Sequence, residues 1–231
     1  MLKKLSVFIV ILVFLLTGCD VKGIPPVSNY SEQSSSVTTR QAKAQEDWTI
    51  LIYMCGNNLE TKQGEATKNL NEIMAANLPE NINVIIQTGG TLKWRNNIVS
   101  SNYCERYKID NHKMVRLAQL PQADMGDSKT LSDFLSWGVE NYPAQKTMAL
   151  IWDHGSGSVN GVAFDELYGN DSLTLPELDN AFSHVSSKFE IVGFDACLME
   201  TVDTAEILAK YARYLIASED VETGEGWNYT S

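Results

Sequence analysis

The feature that most constrains the fold is an alternation of short apolar runs with amphipathic helical segments. Five runs have the composition of strands buried on both faces of a sheet: Trp48–Met54, Asn83–Gln87, Thr147–Trp152, Glu190–Phe194 and Tyr214–Ala217. Between them, apolar residues recur at helical spacing in Gly64–Asn77, Thr130–Glu140, Thr174–Val185 and Leu198–Leu208. Strands joined through helices lie parallel, so the sequence predicts an α/β fold with a mostly parallel central sheet and helices on both faces.

One pair of strands departs from this alternation. Tyr103–Ile109 and Lys113–Leu117 flank the polar triplet Asp110-Asn111-His112. Two strand-forming segments on either side of a short turn are typical of an antiparallel pair. We therefore predict a β-hairpin insertion in the parallel sheet.

The N-terminus has the pattern of an export signal. Lys3 and Lys4 precede an apolar run too short for a comfortable membrane span. The run ends in Leu16-Thr17-Gly18-Cys19, which resembles the lipobox of bacterial lipoproteins. Residues 1–18 are thus predicted to be a lipoprotein signal peptide, with Cys19 lipidated and the protein anchored to an extracytoplasmic membrane face. The alternative is a soluble secreted protein in which Cys19 has no special role.

The next segment has a different composition. Residues 19–46 are rich in Ser, Gln, Thr and Pro and poor in large apolar side chains, so they are predicted to form a flexible tether. The folded domain is predicted to span residues 47–231.

The net charge limits the kind of binding partner, and the cysteine count limits the number of disulfide bonds. Eighteen Lys and Arg against 29 Asp and Glu give a net charge of −11, which becomes −13 when residues 1–18, with two lysines and no acid, are removed. An acidic surface repels phosphates, so nucleic acid is excluded as the expected partner. Four cysteines, one of them Cys19, are too few for a dense disulfide framework.

Two reactive side chains follow consecutive predicted strands. His154 lies just past Trp152, and Cys197 lies just past Phe194. The carboxyl ends of parallel strands meet at one edge of a sheet, so neighbouring strands would bring the imidazole and the thiol into one crevice. A helix beginning directly after Cys197 would favour the thiolate. The backbone amides of Gly155 and Cys197 could then form an oxyanion hole.

A purely structural role is an alternative for Cys197 and His154, and it is the favoured role for the other cysteines and histidines of the predicted domain. Cys55 and Cys104 have the context of buried small apolar residues. His112 lies in the predicted hairpin turn and His184 beside an apolar helix stripe, which favours structural or solvent-exposed roles. The sequence has no zinc-ligand spacing and no phosphate-loop or serine-hydrolase motif, so no metal site is predicted. By pattern alone, Cys197 and His154 are equally compatible with catalytic and structural roles.

Several dispersed motifs together resemble the clostripain family of cysteine peptidases. They are Trp48–Glu60, Gln87–Gly90 with Trp94, Trp152–Gly157, Phe164–Glu166, Gly193–Glu200, and Ser218-Glu219 with Gly226–Tyr229. The resemblance implies a caspase-like α/β/α sandwich and a cysteine endopeptidase that cleaves after Arg or Lys. It assigns Cys197 as nucleophile and His154 as general base, then acid.

The resemblance also implies that Asp195 is the acidic residue of the primary specificity pocket. The alternative is that Asp195 caps the following helix. The acids from Glu219 to Glu225 could line the same pocket or belong to a solvated loop. Some relatives need calcium, but no dense acidic loop is visible here, so no cofactor is predicted.

The resemblance further implies that the domain is truncated, because relatives continue well beyond the equivalent of Ser231. This sustains an alternative function: a non-catalytic surface lipoprotein that acts as a binding module. The partners predicted for the peptidase are peptides or proteins with basic residues, and the membrane through the lipid anchor.

Overall fold

The computed structural model describes residues 46–230. Its elements in chain order are β1 (Glu46–Cys55), a π-helical segment (Leu59–Gln63), α1 (Glu65–Ala75), β2 (Ile82–Gly89), β3 (Tyr103–Asp110), β4 (Lys113–Pro121), α2 (Ser128–Asn141), β5 (Ala144–Trp152), α3 (Gly157–Asn160), β6 (Val162–Asp165), a 3-10 turn (Glu166–Tyr168), β7 (Asp171–Leu173), α4 (Leu175–Ser183), β8 (Phe189–Asp195), α5 (Val202–Leu208) and β9 (Ala212–Ile216). The predicted signal peptide, Cys19 and the tether lie outside the described residues, except for Glu46 in β1. Among residues 46–230, no helix is long and apolar enough to cross a membrane.

The central sheet is mostly parallel and contains the hairpin, as predicted. Its strand order is β4-β3-β2-β1-β5-β8-β9. The five predicted core strands, β2, β1, β5, β8 and β9, pair in parallel. The predicted hairpin forms the antiparallel edge, with β3 against β2 and β4 against β3. Asn111 and His112 make its turn at φ +47° and +60°, the left-handed geometry that tight hairpin turns favour.

Helices cover both faces of this sheet. Alternate residues of β1 point to opposite sides, because side chains in a strand alternate in direction. Leu51 and Tyr53 pack in the same core as α2, α4 and α5. Ile52 and Met54 pack in a second core with α1. The predicted α/β/α sandwich is confirmed.

Of two predictions about where helices begin, one is confirmed and one is wrong. Thr174 and Glu177 form the predicted capping box, with the Thr174 amide donating to the Glu177 carboxylate at 2.9 Å. The prediction of a helix directly after Cys197 is wrong, because α5 begins only at Val202. Backbone bonds from the Leu198 amide to the Asp220 carbonyl and from the Glu200 amide to the Ser218 carbonyl hold this stretch in a non-helical conformation.

Candidate active site

Two neighbouring strands position the predicted reactive residues. Strand β5 pairs with β8, and the last pair of their register is Trp152 with Asp195. The pairing continues one step further, because the Asp153 amide donates to the Asp195 carbonyl at 3.3 Å. His154 and Cys197 therefore leave the same edge of the sheet from adjacent strands. Both line one cavity of about 270 Å³.

The loops that carry these residues are in direct contact. A Cβ built on Gly155 would lie 2.1 Å from the carbonyl oxygen of Cys197. No side chain fits at that distance, so position 155 requires glycine for close approach rather than for backbone freedom. The loop that carries Cys197 and the loop that carries His154 are packed against each other.

Replacement of Gly155 by alanine is expected to displace the Cys197 carbonyl and to lower the free energy of unfolding by about 1–3 kcal/mol, the usual cost of overpacking. Urea denaturation followed by circular dichroism measures this change. Gly224→Ala is the matched control, because its Cβ would meet only the flexible Gln63 side chain at 3.5 Å and the Leu59 side chain at 3.9 Å. Equal stability of the two variants would contradict the close contact at Gly155.

His154 is half-buried and held in place through its ring and its backbone. Its Nε2 lies 3.1 Å from Oδ1 of Asn58. Burial lowers the pKa of the imidazole, and the positive charge of Lys62 lowers it further. The His154 carbonyl accepts from the Ala163 amide on β6. A neutral imidazole in a fixed orientation can accept a proton near pH 7.

Cys197 is half-buried beneath the segment that follows β9. The Glu222 amide donates to the Cys197 sulfur at 3.3 Å. The same sulfur lies 3.8 Å from the Glu222 carbonyl, to which the thiol donates. The backbone of Glu222 therefore holds the Cys197 side chain in place from a segment 25 residues further along the chain. Leu198, the next residue, has φ +62°, a strained conformation of the kind that occurs beside functional groups.

The backbone bridge next to His154 does not use the Gly155 amide, one of the two amides predicted to hold an oxyanion. An isolated bridge pairs Gly155 with Val162. Its hydrogen bonds run from the Ala163 amide to the His154 carbonyl and from the Ser156 amide to the Gly161 carbonyl. Neither bond uses the amide of Gly155. The predicted oxyanion role of the Gly155 and Cys197 amides is compatible with this arrangement and stays a prediction.

Asp195 lies in the wall of the same cavity. Its Oδ2 accepts from the Tyr229 hydroxyl at 2.6 Å and from the Trp227 amide at 3.1 Å. Burial raises the pKa of this carboxyl, while those two hydrogen bonds act in the opposite direction. The alternative role as a helix cap is wrong, because the N-cap of α5 is Thr201, whose side chain accepts from the Thr204 amide.

A glycine makes the space that this carboxylate needs. A Cβ on Gly226 would lie 2.7 and 2.8 Å from the two Asp195 oxygens, and Gly226 has φ +69°. Both the distance and the conformation exclude a side chain here. Because residue 226 has no side chain, its backbone can pack directly against the Asp195 carboxylate.

The acids from Glu219 to Glu225 divide between the two roles left open by the sequence. Glu222 lines the cavity, whereas Glu219, Asp220 and Glu225 are exposed. One oxygen of Glu222 accepts from the Trp227 indole at 3.4 Å, and the other is buried without a hydrogen-bond partner. Burial raises the pKa of Glu222, and the nearby charge of Asp195 raises it further. The cavity wall thus carries two carboxylates that repel each other when both are charged.

None of the remaining cysteines and histidines of the described chain lines this cavity. Cys55 and Cys104 are buried free thiols, as predicted, and burial raises the pKa of each. His112 and His184 are exposed, in the hairpin turn and at the C-cap of α4. Within residues 46–230, no group of three or more His, Cys, Asp or Glu side chains could hold a metal ion.

Comparison with known protein families shows to which family the chain belongs. A profile described as the clostripain family matches residues 52–231. The chain belongs to the clostripain family. The resemblance drawn from the dispersed motifs is thereby confirmed. Clostripain of Hathewaya histolytica is 24% identical over 239 residues, a match that covers 87% of this chain and 44% of that protein.

Solved structures of clostripain-family proteins share the fold. A secreted C11 cysteine protease from Bacteroides thetaiotaomicron, solved with an irreversible peptide inhibitor, is 22% identical with a TM-score of 0.64, covering 79% of this chain and 51% of that one. An inactive zymogen C11 protease from Parabacteroides distasonis is 21% identical with a TM-score of 0.64, covering 82% and 53%. This chain spans about half the length of these relatives.

Sequence reasoning missed Asn58, and although it included Glu222 among the acids that could line the pocket, it missed the contact of Glu222 with Cys197. Asn58 contacts His154 from the turn after β1, and Glu222 contacts Cys197 from the segment after β9. The polar run Gly56-Asn57-Asn58 directly after a core strand is a signal that could have indicated Asn58, because it ends at the same sheet edge. The contact between the Glu222 backbone and the Cys197 sulfur had no comparable signal.

Proposed function

We propose that this clostripain-family chain is a cysteine endopeptidase that hydrolyses peptide bonds after Arg or Lys through a Cys197–His154 dyad. The observation that carries the proposal is the presence of both side chains in one cavity, at the ends of two adjacent parallel strands whose loops touch at Gly155. Family membership supports the reaction class.

In the proposed reaction, His154 takes the proton of the Cys197 thiol and the sulfur attacks the carbonyl carbon of the substrate. The negative charge moves to the carbonyl oxygen, where the Gly155 and Cys197 amides can donate hydrogen bonds. His154 then donates its proton to the leaving amine, and the C–N bond breaks to give an acyl-enzyme. Water, deprotonated by the same imidazole, hydrolyses the thioester and restores the thiol. No cofactor enters this chemistry.

The cavity wall supports the basic specificity. A guanidinium or ammonium group taken out of water needs an opposite charge close by. Asp195 and Glu222 offer two carboxylates in one wall, and the raised pKa of each reflects burial without a cationic partner. A basic side chain would relieve their mutual repulsion. The net charge of −11 would also attract cationic substrates over distance.

The proposed location is an extracytoplasmic membrane face, reached through lipidation of Cys19. The lipobox-like sequence ending at Cys19 supports it, and one of the solved relatives is described as secreted. The tether of residues 19–46 would hold the peptidase domain away from the membrane surface.

Covalent labelling tests the proposed function. The full chain is incubated with an arginyl acyloxymethyl ketone, and the adduct is located by peptide mass spectrometry. We expect a thioether on Cys197, because the thiolate displaces the carboxylate leaving group. A glutamyl analogue of the same ketone is the matched control and should label far more slowly.

Absence of an adduct on the folded protein would overturn the peptidase proposal and favour the binding module. Equal labelling of Cys55, Cys104 and Cys197 would show chemical reactivity of thiols in general and would also contradict the proposal.

A further inference from the structure

The contact between His154 and Asn58 determines which ring nitrogen is free. The Nε2 of His154 lies 3.1 Å from the amide oxygen of Asn58. A carboxamide oxygen only accepts hydrogen bonds, so this contact is a hydrogen bond in the tautomer whose Nε2 carries the proton. In a neutral imidazole the lone pair then belongs to Nδ1. The contact therefore selects one of two tautomers.

The strand order places the imidazole between Asn58 and Cys197. Strand β5, which leads to His154, lies between β1 and β8. Asn58 follows β1, and Cys197 follows β8. Along this edge of the sheet, Asn58 and Cys197 therefore follow the strands on either side of the one that leads to His154. The nitrogen not bonded to Asn58 is the one left for the thiol.

The backbone at Asn58 is fixed by the neighbouring β2 loop. The Asn57 amide donates to the Gly90 carbonyl at 3.1 Å, and the Asn57 carbonyl accepts from the Thr91 hydroxyl at 2.8 Å. Asn57 is buried and has φ +42°. The Asn57 side chain also accepts from the Asn58 amide. These bonds hold the residue so that its side chain contacts the ring from a constant position.

We propose that Asn58 is a positioning residue that holds His154 in the Nε2–H tautomer, with Nδ1 directed at Cys197. The inference rests on the proposed dyad and adds a third member to it. A carboxylate at position 58 would also orient the ring, but it would stabilise the imidazolium. The neutral amide of Asn58 fixes the tautomer without a negative charge that would stabilise the protonated ring. It therefore suits a base that must be unprotonated before the reaction begins.

Two substitutions in the full chain separate orientation from charge. Asn58→Ala removes the acceptor, so kcat should fall about 10- to 100-fold, as for small misplacements of catalytic groups, while KM changes less than about twofold. Asn58→Asp keeps an acceptor and adds a charge. It should retain activity at alkaline pH but shift the acidic limb of kcat/KM upward by about one pH unit. The direction follows because the carboxylate stabilises the protonated ring, and the reaction needs the neutral ring.

The other titratable groups near the ring are unchanged in these variants. They are Lys62 on the π-helical segment, the adjacent Asp153, and Cys197, Asp195 and Glu222 in the cavity. Asn77→Ala, the same replacement at an exposed position, is the matched control and should behave as wild type. If Asn58→Ala and Asn58→Asp lose activity equally and the acidic limb does not move, the positioning role is wrong.

A measurement without hydrolysis distinguishes this inference from the proposed function. In the Cys197→Ala protein, two-bond ¹H–¹⁵N spectra should show His154 as the Nε2–H tautomer at neutral pH. Adding Asn58→Ala should produce a mixture of tautomers, and adding Asn58→Asp should raise the pKa of the ring. An unchanged tautomer after Asn58→Ala overturns the positioning role. Wild-type protein that hydrolyses nothing, with the tautomer as expected, overturns the proposed function alone.

Discussion

Alanine at either position of the proposed Cys197–His154 dyad is expected to produce the largest loss of activity. Cys197→Ala should remove hydrolysis of an arginyl fluorogenic peptide, because no other described thiol lines the cavity. His154→Ala should lower kcat/KM by about 10²- to 10⁴-fold, the usual contribution of a positioned general base. Its residual rate should rise with pH, because hydroxide would then have to ionise the thiol. Steady-state kinetics from pH 5 to 10 measure both effects.

Matched controls use the other cysteines and histidines. Cys104→Ala alters a buried thiol in the core, and His184→Ala alters an exposed imidazole at the end of α4. Both should retain activity within about threefold, since neither side chain lines the cavity. Wild-type activity in His154→Ala would exclude the imidazole from the reaction, and residual activity in Cys197→Ala would exclude the proposed nucleophile.

Removal of the charge on Asp195 is expected to change specificity. Asp195→Asn keeps an oxygen that can accept from the Tyr229 hydroxyl and the Trp227 amide, so the pocket should keep its shape. For arginyl substrates, kcat/KM should fall about 10²- to 10³-fold, the range expected when a buried charge loses its partner. For a neutral side chain such as glutamine, the rate should stay constant or increase. A panel of fluorogenic peptides that differ only in the residue before the scissile bond measures this.

Glu219→Gln is the matched control for Asp195→Asn, because it makes the same change of charge at an exposed position. It should lower kcat/KM for arginyl substrates only slightly, and added salt should reduce even that difference. Equal losses in the two variants would show that general charge attraction, rather than the pocket, selects basic residues. An unchanged arginine preference in Asp195→Asn would remove the assignment of Asp195.

The sequence was informative where burial alone determines the structure. Runs such as Ile50–Met54 are apolar because both faces of β1 are covered, so parallel strands could be predicted from composition. Parallel strands end at one edge, which predicted that His154 and Cys197 share a cavity. The hairpin could be predicted because its turn is local.

The features that escaped prediction depend on distant parts of the chain. Leu198 has the spacing of a helix residue, but its amide pairs with Asp220, and that tertiary bond delays the helix to Val202. Glu222 contacts the sulfur of Cys197 from 25 residues away. The short strands β6 and β7 form a separate two-stranded sheet, and their few residues carry too little periodicity to indicate it. Pairing between segments distant in sequence has no signature within either segment.

The close contacts at Gly155 and Gly226 mean that the shape of the cavity depends on two positions that have no side chain, as well as on the side chains that line it. Every other amino acid brings at least a methyl group, so sequence drift at either position damages the cavity while leaving the central sheet intact. A homologous chain that keeps the strands, the cysteine and the histidine but has lost these glycines is therefore expected to be a pseudoenzyme. Such a pseudoenzyme could be recognised from its residues at the positions equivalent to Gly155 and Gly226, although neither glycine carries a reactive group.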